Sequence, residues 1–189
     1  MENLKEYIIE GIFDIDDNIN KMDKSIKLQI KQFLKDNFKG HSNCKISRNP
    51  NSDGKYEVSC SKDIEVKNKN ITSFTNGMFI WVKVNGGFDC SDCNSLTSLE
   101  GAPKEIGRSF YCVGCNSLQS LKGAPKEVGG DFYCHSCHSL TSLEGAQEVV
   151  GSFSCRGCKL LTSLEGAPKE VGMNFNCCEC DSLISLELI

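Results

Sequence analysis

FYCVGCNSLQSLKGAPKEVGGD, residues 110–131, is written almost unchanged before and after itself. Counted from its aromatic residue, the unit occupies 88–109, 110–131, 132–152 and 153–174, and a last copy opens at Phe175. The first cysteine of each copy, at Cys90, Cys112, Cys134, Cys155 and Cys177, recurs at intervals of 22, 22, 21 and 22 residues. Self-similarity at a period of this length marks a solenoid, in which each unit is one turn that cannot bury its apolar face alone.

Within the unit the apolar positions fall first two apart, then three apart. Phe110 and Cys112 alternate as inward positions of a short strand, Cys115 sits where the chain bends, and Leu118 and Leu121 follow. The segment GAPKEVG, at 101–107 with Ile for Val and at 123–129 and 166–172, is turn chemistry: Gly permits positive φ and Pro blocks a helix. So few residues leave room only for an irregular or 3₁₀ return. The third copy reads GAQEVVG and is one residue shorter. Stacking places like residues in columns of Phe, Cys, Leu and a final aliphatic (Ile106, Val128, Val150, Val171), which together make one core.

The unit resembles the leucine-rich repeat, L-x-L-x-x-N/C-x-L, with Phe and Cys in the strand positions and the second Cys in the N/C position. The resemblance implies an α+β leucine-rich-repeat solenoid of short parallel strands with irregular or 3₁₀ returns, and says almost nothing about function.

The flanks supply the ends of that solenoid. Ile26, Ile30, Phe33, Leu34 and Phe38 keep helical spacing, and Gly40 stops the helix. Lys24, Lys27, Lys31, Lys35 and Lys39 run along it as a solvated face. The period then changes to two at 44–47 and 56–59, around the turn-rich 49–54, which reads as a β-hairpin. Ile64-Glu65-Val66 followed by Ile71 and Phe74 imitates the repeat as a degenerate first rung, with Met78–Val84 and Trp81 as its return. The domain reading is a leader at 1–11, a helical and hairpin cap at 12–63, and a solenoid of about six rungs at 64–189. At the far end Leu188 and Ile189 must cover the last rung, or that end is open to self-association.

Residues 2–10 make a short amphipathic helical turn, and Asp14, Asp16, Asp17 and Asn18 an acidic turn or helix cap. They are no calcium loop, since Ile19 and Ser25 stand where Gly and Glu are required. Ile8-Ile9-Glu10-Gly11 also resembles the I/L-x-E-G/A cleavage pattern of the head-maturation protease of T-even-type bacteriophages, and MENLKEYIIE resembles their capsid-targeting leaders. That resemblance implies a cut between Glu10 and Gly11 and packaging in a virion head. An ordinary first helical turn is the competing reading.

The net charge of −4 lacks the basic face that nucleic acid requires, and no apolar run is long enough to span a membrane. MENLKEYIIEG has no signal-peptide pattern, so the cytoplasm is the expected location and reduced thiols the expected state of the thirteen cysteines. Three readings of C-x-x-C stand open. The pairs Cys90/Cys93, Cys112/Cys115, Cys134/Cys137, Cys155/Cys158 and Cys177/Cys180 form buried thiol ladders, or hold zinc or an iron-sulfur cluster between rungs, or act in redox chemistry. The ladders need no cofactor and suit Cys in core and corner positions.

Comparing the copies separates scaffold from display. Leu and Cys hardly vary, whereas the outward strand positions do: Asp89, Tyr111, Tyr133, Ser154 and Asn176 in one column, Ser91, Val113, His135, Arg156 and Cys178 in the next. Tyrosines beside His and Arg have the composition of a protein-binding surface. With no recurrent His beside a nucleophile and no phosphate loop, the expected function is non-enzymatic: binding a partner protein through the concave strand face. A metal protein and a structural virion component are the alternatives.

Overall fold

The computed structural model describes residues 2–184 apart from 50 and 52, and for residues 2–19 the backbone alone. The elements in chain order are helix α1 (Glu2–Asn37) and strands β1 (Phe38–Lys39), β2 (Cys44–Arg48), β3 (Tyr56–Cys60), β4 (Ile64–Val66) and β5 (Phe79–Val84). The repeats add β6 (Phe88–Asp89), β7 (Glu105–Ile106), β8 (Phe110–Tyr111), β9 (Glu127–Val128), β10 (Phe132–Tyr133), β11 (Glu148–Val149), β12 (Phe153–Ser154), β13 (Glu170–Val171) and β14 (Phe175–Asn176). They form a parallel-strand β-solenoid of about six turns, closed at its N-terminal end by the helix and a short strand cap.

Each turn contributes to two ladders. The front ladder runs β1-β4-β6-β8-β10-β12-β14, in register from Ile64↔Phe88 and Phe88↔Phe110 to Phe153↔Phe175. The back ladder runs β13-β11-β9-β7-β5-β3-β2. The return is irregular except for its two-residue Glu-Val strand, which builds that second ladder. Two residues between polar turns are too few to show a periodicity in sequence. Front-ladder pairing extends beyond the named strands, because the amide of Cys112 donates to Tyr133 O at 2.9 Å and that of Gly114 to His135 O at 3.1 Å.

The columns fill the space between the ladders. Phe88, Phe110, Phe132 and Phe153 are fully buried, with ring centroids 5.8, 5.0 and 5.4 Å apart, and the leucines at 118, 121, 140 and 143 are buried beside them. The third copy corrects the aliphatic column. Glu148 pairs with Glu127 and Val149 with Val128, so the shortened turn absorbs the missing residue, Val149 is buried and Val150 stands 65% exposed in a glycine's place.

At the third residue of C-x-x-C the chain turns through the left-handed region, at Asp92, Gly114, Ser136, Gly157 and Glu179, with φ from 59° to 69°. Side chains just before the front strands, at Asp63, Ser109 and Asp131, tie one rung to the next. The amide of Gly87 donates to Asp63 Oδ1 at 2.7 Å, that of Asp131 to Ser109 Oγ at 3.1 Å and that of Ser152 to Asp131 Oδ1 at 2.7 Å.

The cap departs from expectation in two ways. Instead of a short helix, an acidic turn and a second helix, α1 is continuous for 36 residues; Gly11 costs about 1 kcal/mol in a helix interior without ending it. The expected cut between Glu10 and Gly11 concerns side chains outside the described residues, as does closure of the last rung by Leu188 and Ile189. Second, Cys44 and Cys60 face each other in the β2–β3 hairpin and are joined by a disulfide, so the cysteines are not all reduced. The hairpin, and β4 as the degenerate first rung, are as read. Phe38, Trp81 and Phe88 meet edge to face or tilted at 5.3 to 6.2 Å, and Trp81 Nε1 donates to Phe74 O at 2.8 Å. Helix and hairpin are pinned by the Tyr56 hydroxyl on Asp23, which Lys27 also meets at 2.6 Å.

Candidate functional site

The outward column of the front ladder reads Lys39, Glu65, Asp89, Tyr111, Tyr133, Ser154, Asn176. Three of these serve their own turn. Asp89 Oδ1 accepts the Ser91 amide at 2.8 Å, Asn176 Oδ1 that of Cys178 at 3.0 Å, and Ser154 Oγ that of Arg156 at 3.5 Å, while Ser154 is itself buried. A phenol cannot fold back in this way, so Tyr111 and Tyr133 stand out from the ladder. Their rings lie 5.5 Å apart, and His135 approaches Tyr133 edge-on at 6.1 Å. Val113 lies half-buried between Ser91 and His135 in the next column. Partial burial and the neighbouring Asp131 carboxylate push the Tyr133 phenol above its ordinary value.

The structure therefore gathers Tyr111, Tyr133, His135 and Val113, and sets aside Asp89, Ser154 and Asn176. Arg156 reaches away to Glu179, and Lys69 Nζ binds Ser91 O at 2.8 Å.

Sequence reading missed what lies next to the tyrosines. A groove of about 460 Å³ runs from Tyr111 toward the cap, lined by Lys39, Gly40, Asp63, Ile64, Glu65, Gly87, Asp89, Arg108 and Ser109. It exists because β1 folds back antiparallel on β4, with Lys39 on Glu65 at 2.8 Å. Arg108 carried a signal: its counterparts in two following copies are Gly130 and Gly151, and one arginine in a glycine position is a departure from the repeat. Comparison with protein-family models, curated proteins and solved structures returned no significant match.

The cysteines behave as a ladder of donors. Cys115 Sγ–H donates to Cys90 O at 3.2 Å, Cys137 to Cys112 O at 3.0 Å, Cys158 to Cys134 O at 3.2 Å and Cys180 to Cys155 O at 3.2 Å. The corner thiol of each rung thus satisfies the strand-end carbonyl of the rung before it. Burial pushes the thiols of Cys90, Cys112, Cys134 and Cys155 well up, and those of Cys93 and Cys158 up to about 12. Such thiols stay protonated, the opposite of what a metal ligand or a redox nucleophile needs; Cys115 differs, its hydrogen bond with the Cys90 thiol holding it below the ordinary value. Among the described residues no group of three His, Cys, Asp or Glu side chains is arranged to hold a metal ion, and no helix is long and apolar enough to cross a membrane.

Proposed function

We propose that the protein is a non-enzymatic interaction module that binds a partner protein on the outer face of the front ladder. The observation that carries this reading is the contiguous set Tyr111, Tyr133 and His135, in a column where Asp89, Ser154 and Asn176 fold back on their own turns. Two adjacent tyrosines offer a large, rigid, amphipathic area at low entropic cost. The groove beside Tyr111, with Arg108 and Lys39 among Asp63, Glu65 and Asp89, adds a polar margin of both signs.

The leader resemblance gives this binding a setting. In it the chain is packaged in a phage head, cut between Glu10 and Gly11 and delivered to a bacterium, where it engages a host protein. Intact-mass measurement of the virion form would show the missing ten residues.

The binding reading is tested with Tyr111→Ala/Tyr133→Ala. Once a partner has been captured and identified, calorimetry should show its affinity reduced at least 30-fold in the double variant, since buried interface tyrosines are worth about 2 kcal/mol or more. The melting temperature should hold, because both rings lie outside the core. Unchanged affinity would remove this face from the function.

A further inference from the structure

Helix α1 is far longer than its task as a lid requires. At about 1.5 Å per residue it spans about 54 Å, whereas its buried stretch from Ile26 to Asn37 needs about 18 Å. Between residues 20 and 25 every residue but Asp23, which holds Tyr56 of the hairpin, is exposed, and Met22 is 60% exposed, so Asp23 is the last point at which the described side chains of the helix meet the body. The overhanging part is patterned all the same. Ile8, Ile12, Ile15, Ile19, Met22 and Ile26 alternate at four and three residues, the a/d spacing of helix-on-helix packing, with no charge at any of the six positions. Ile9 and Asp16 border this stripe, and Asp14 and Asp17 lie away from it.

We propose that this overhang is a self-association helix whose occupant is a second copy of the chain, packed antiparallel. A membrane surface fits poorly, because residues 2–24 carry seven acidic against three basic residues. Heptad spacing is the geometry of a partner helix, and a helix with the matching stripe is present on every other copy. The orientation follows from the body. Ile26, Ile30 and Leu34 lay the same side of the helix on the protein's own core, so a parallel partner would drive two solenoids into one space. An antiparallel pair puts them at opposite ends and makes one isologous two-fold contact, with positions near 15 meeting their own copies.

Sedimentation equilibrium of the full chain at micromolar concentration should give twice the chain mass. Ile12→Lys/Ile19→Lys should give the single mass with an unchanged melting temperature, which would show that the solenoid still folds. A photo-crosslinker at position 10 should link to the other chain near residue 20. A monomeric wild type, a variant that stays dimeric, a mass above the dimer, or a link from position 10 to its own counterpart would each overturn the proposal.

Discussion

The buried thiols tie one atom's chemistry to the stability of the whole stack. Each corner Sγ–H is a donor only while protonated, and the pairs at 3.0 to 3.2 Å give the strand-end carbonyls their partner inside the core. Burial raises the thiols of Cys90, Cys93, Cys112, Cys134, Cys155 and Cys158, so below the ordinary thiol value of 9.0 both folded and unfolded chains hold their protons, and the stability these support is complete. Above it the unfolded chain releases protons that the folded chain keeps, so stability falls as pH rises, up to the folded values near 12 for Cys93 and Cys158. For the fully buried Cys90, Cys112 and Cys134 the slope is about 1.4 kcal/mol per pH unit for each thiol. Melting scans under reducing conditions should therefore be flat from pH 7 to about 8.5 and fall steeply by pH 10; a flat profile to pH 11 would exclude protonated ladders. The 22-residue interval made these columns legible at once. It did not decide between Val149 and Val150, because a one-residue deletion can be placed on either side of a Val pair, and only the burial of Val149 resolves it.

Elements with a periodicity of their own were legible, and the pairings and contacts between elements were not. The hairpin β2–β3 was visible as alternation, yet its disulfide was not, since Cys44 and Cys60 look in sequence like two more members of a cysteine-rich chain. Their pairing rests on register, Cys44 opposite Cys60 across the whole length of the hairpin. Helix α1 was broken in reading at Gly11 and at the acidic cluster because propensity was weighed without the tertiary anchor that holds its other end. The groove beside Tyr111 was hidden for a similar reason: one end of its wall, Lys39 and Gly40, comes from β1 and the residue after it, a stretch with no periodicity of its own. The disulfide closes a loop of sequence separation 16, for which chain entropy predicts a contribution of about 3 kcal/mol. Reduction, or Cys44→Ser/Cys60→Ser, should lower the melting temperature by several degrees while leaving the front-ladder tyrosines as accessible as before. No change in melting temperature would mean that the bond does not form in solution.

Over the whole molecule, hydrogen bonding has a direction within each ladder. The amide of Phe110 donates forward to Asp131 O, that of Cys112 to Tyr133 O, that of Cys134 to Ser154 O and that of Cys155 to Asn176 O, at 2.8 to 2.9 Å. Front-ladder amides are thus satisfied by the rung that follows, while back-ladder amides point the other way, those of Gly107, Gly129 and Val150 donating to Val84 O, Ile106 O and Val128 O of the rung before. The N-terminal end is held by α1, the hairpin and the Trp81 cluster, whereas at the other end, among the described residues, β14 pairs only with β12, and Phe175 and Cys177 are half-buried where Phe110 and Cys112 are fully buried. Stability in such an array is nearly a sum of rung and nearest-neighbour contributions, so opening should begin at the weaker end and proceed rung by rung. Detaching the last rung frees the amides of Phe153 and Cys155, and losing the next frees those of Phe132 and Cys134. Native-state hydrogen exchange should then rank protection in the order Cys112, Cys134, Cys155, Cys177, with the fastest exchange at Cys177. Equal protection in all four would mean that the solenoid opens as one cooperative unit, and a reversed order would mean that the helix and hairpin, for all their buried aromatic contacts, are the weaker end.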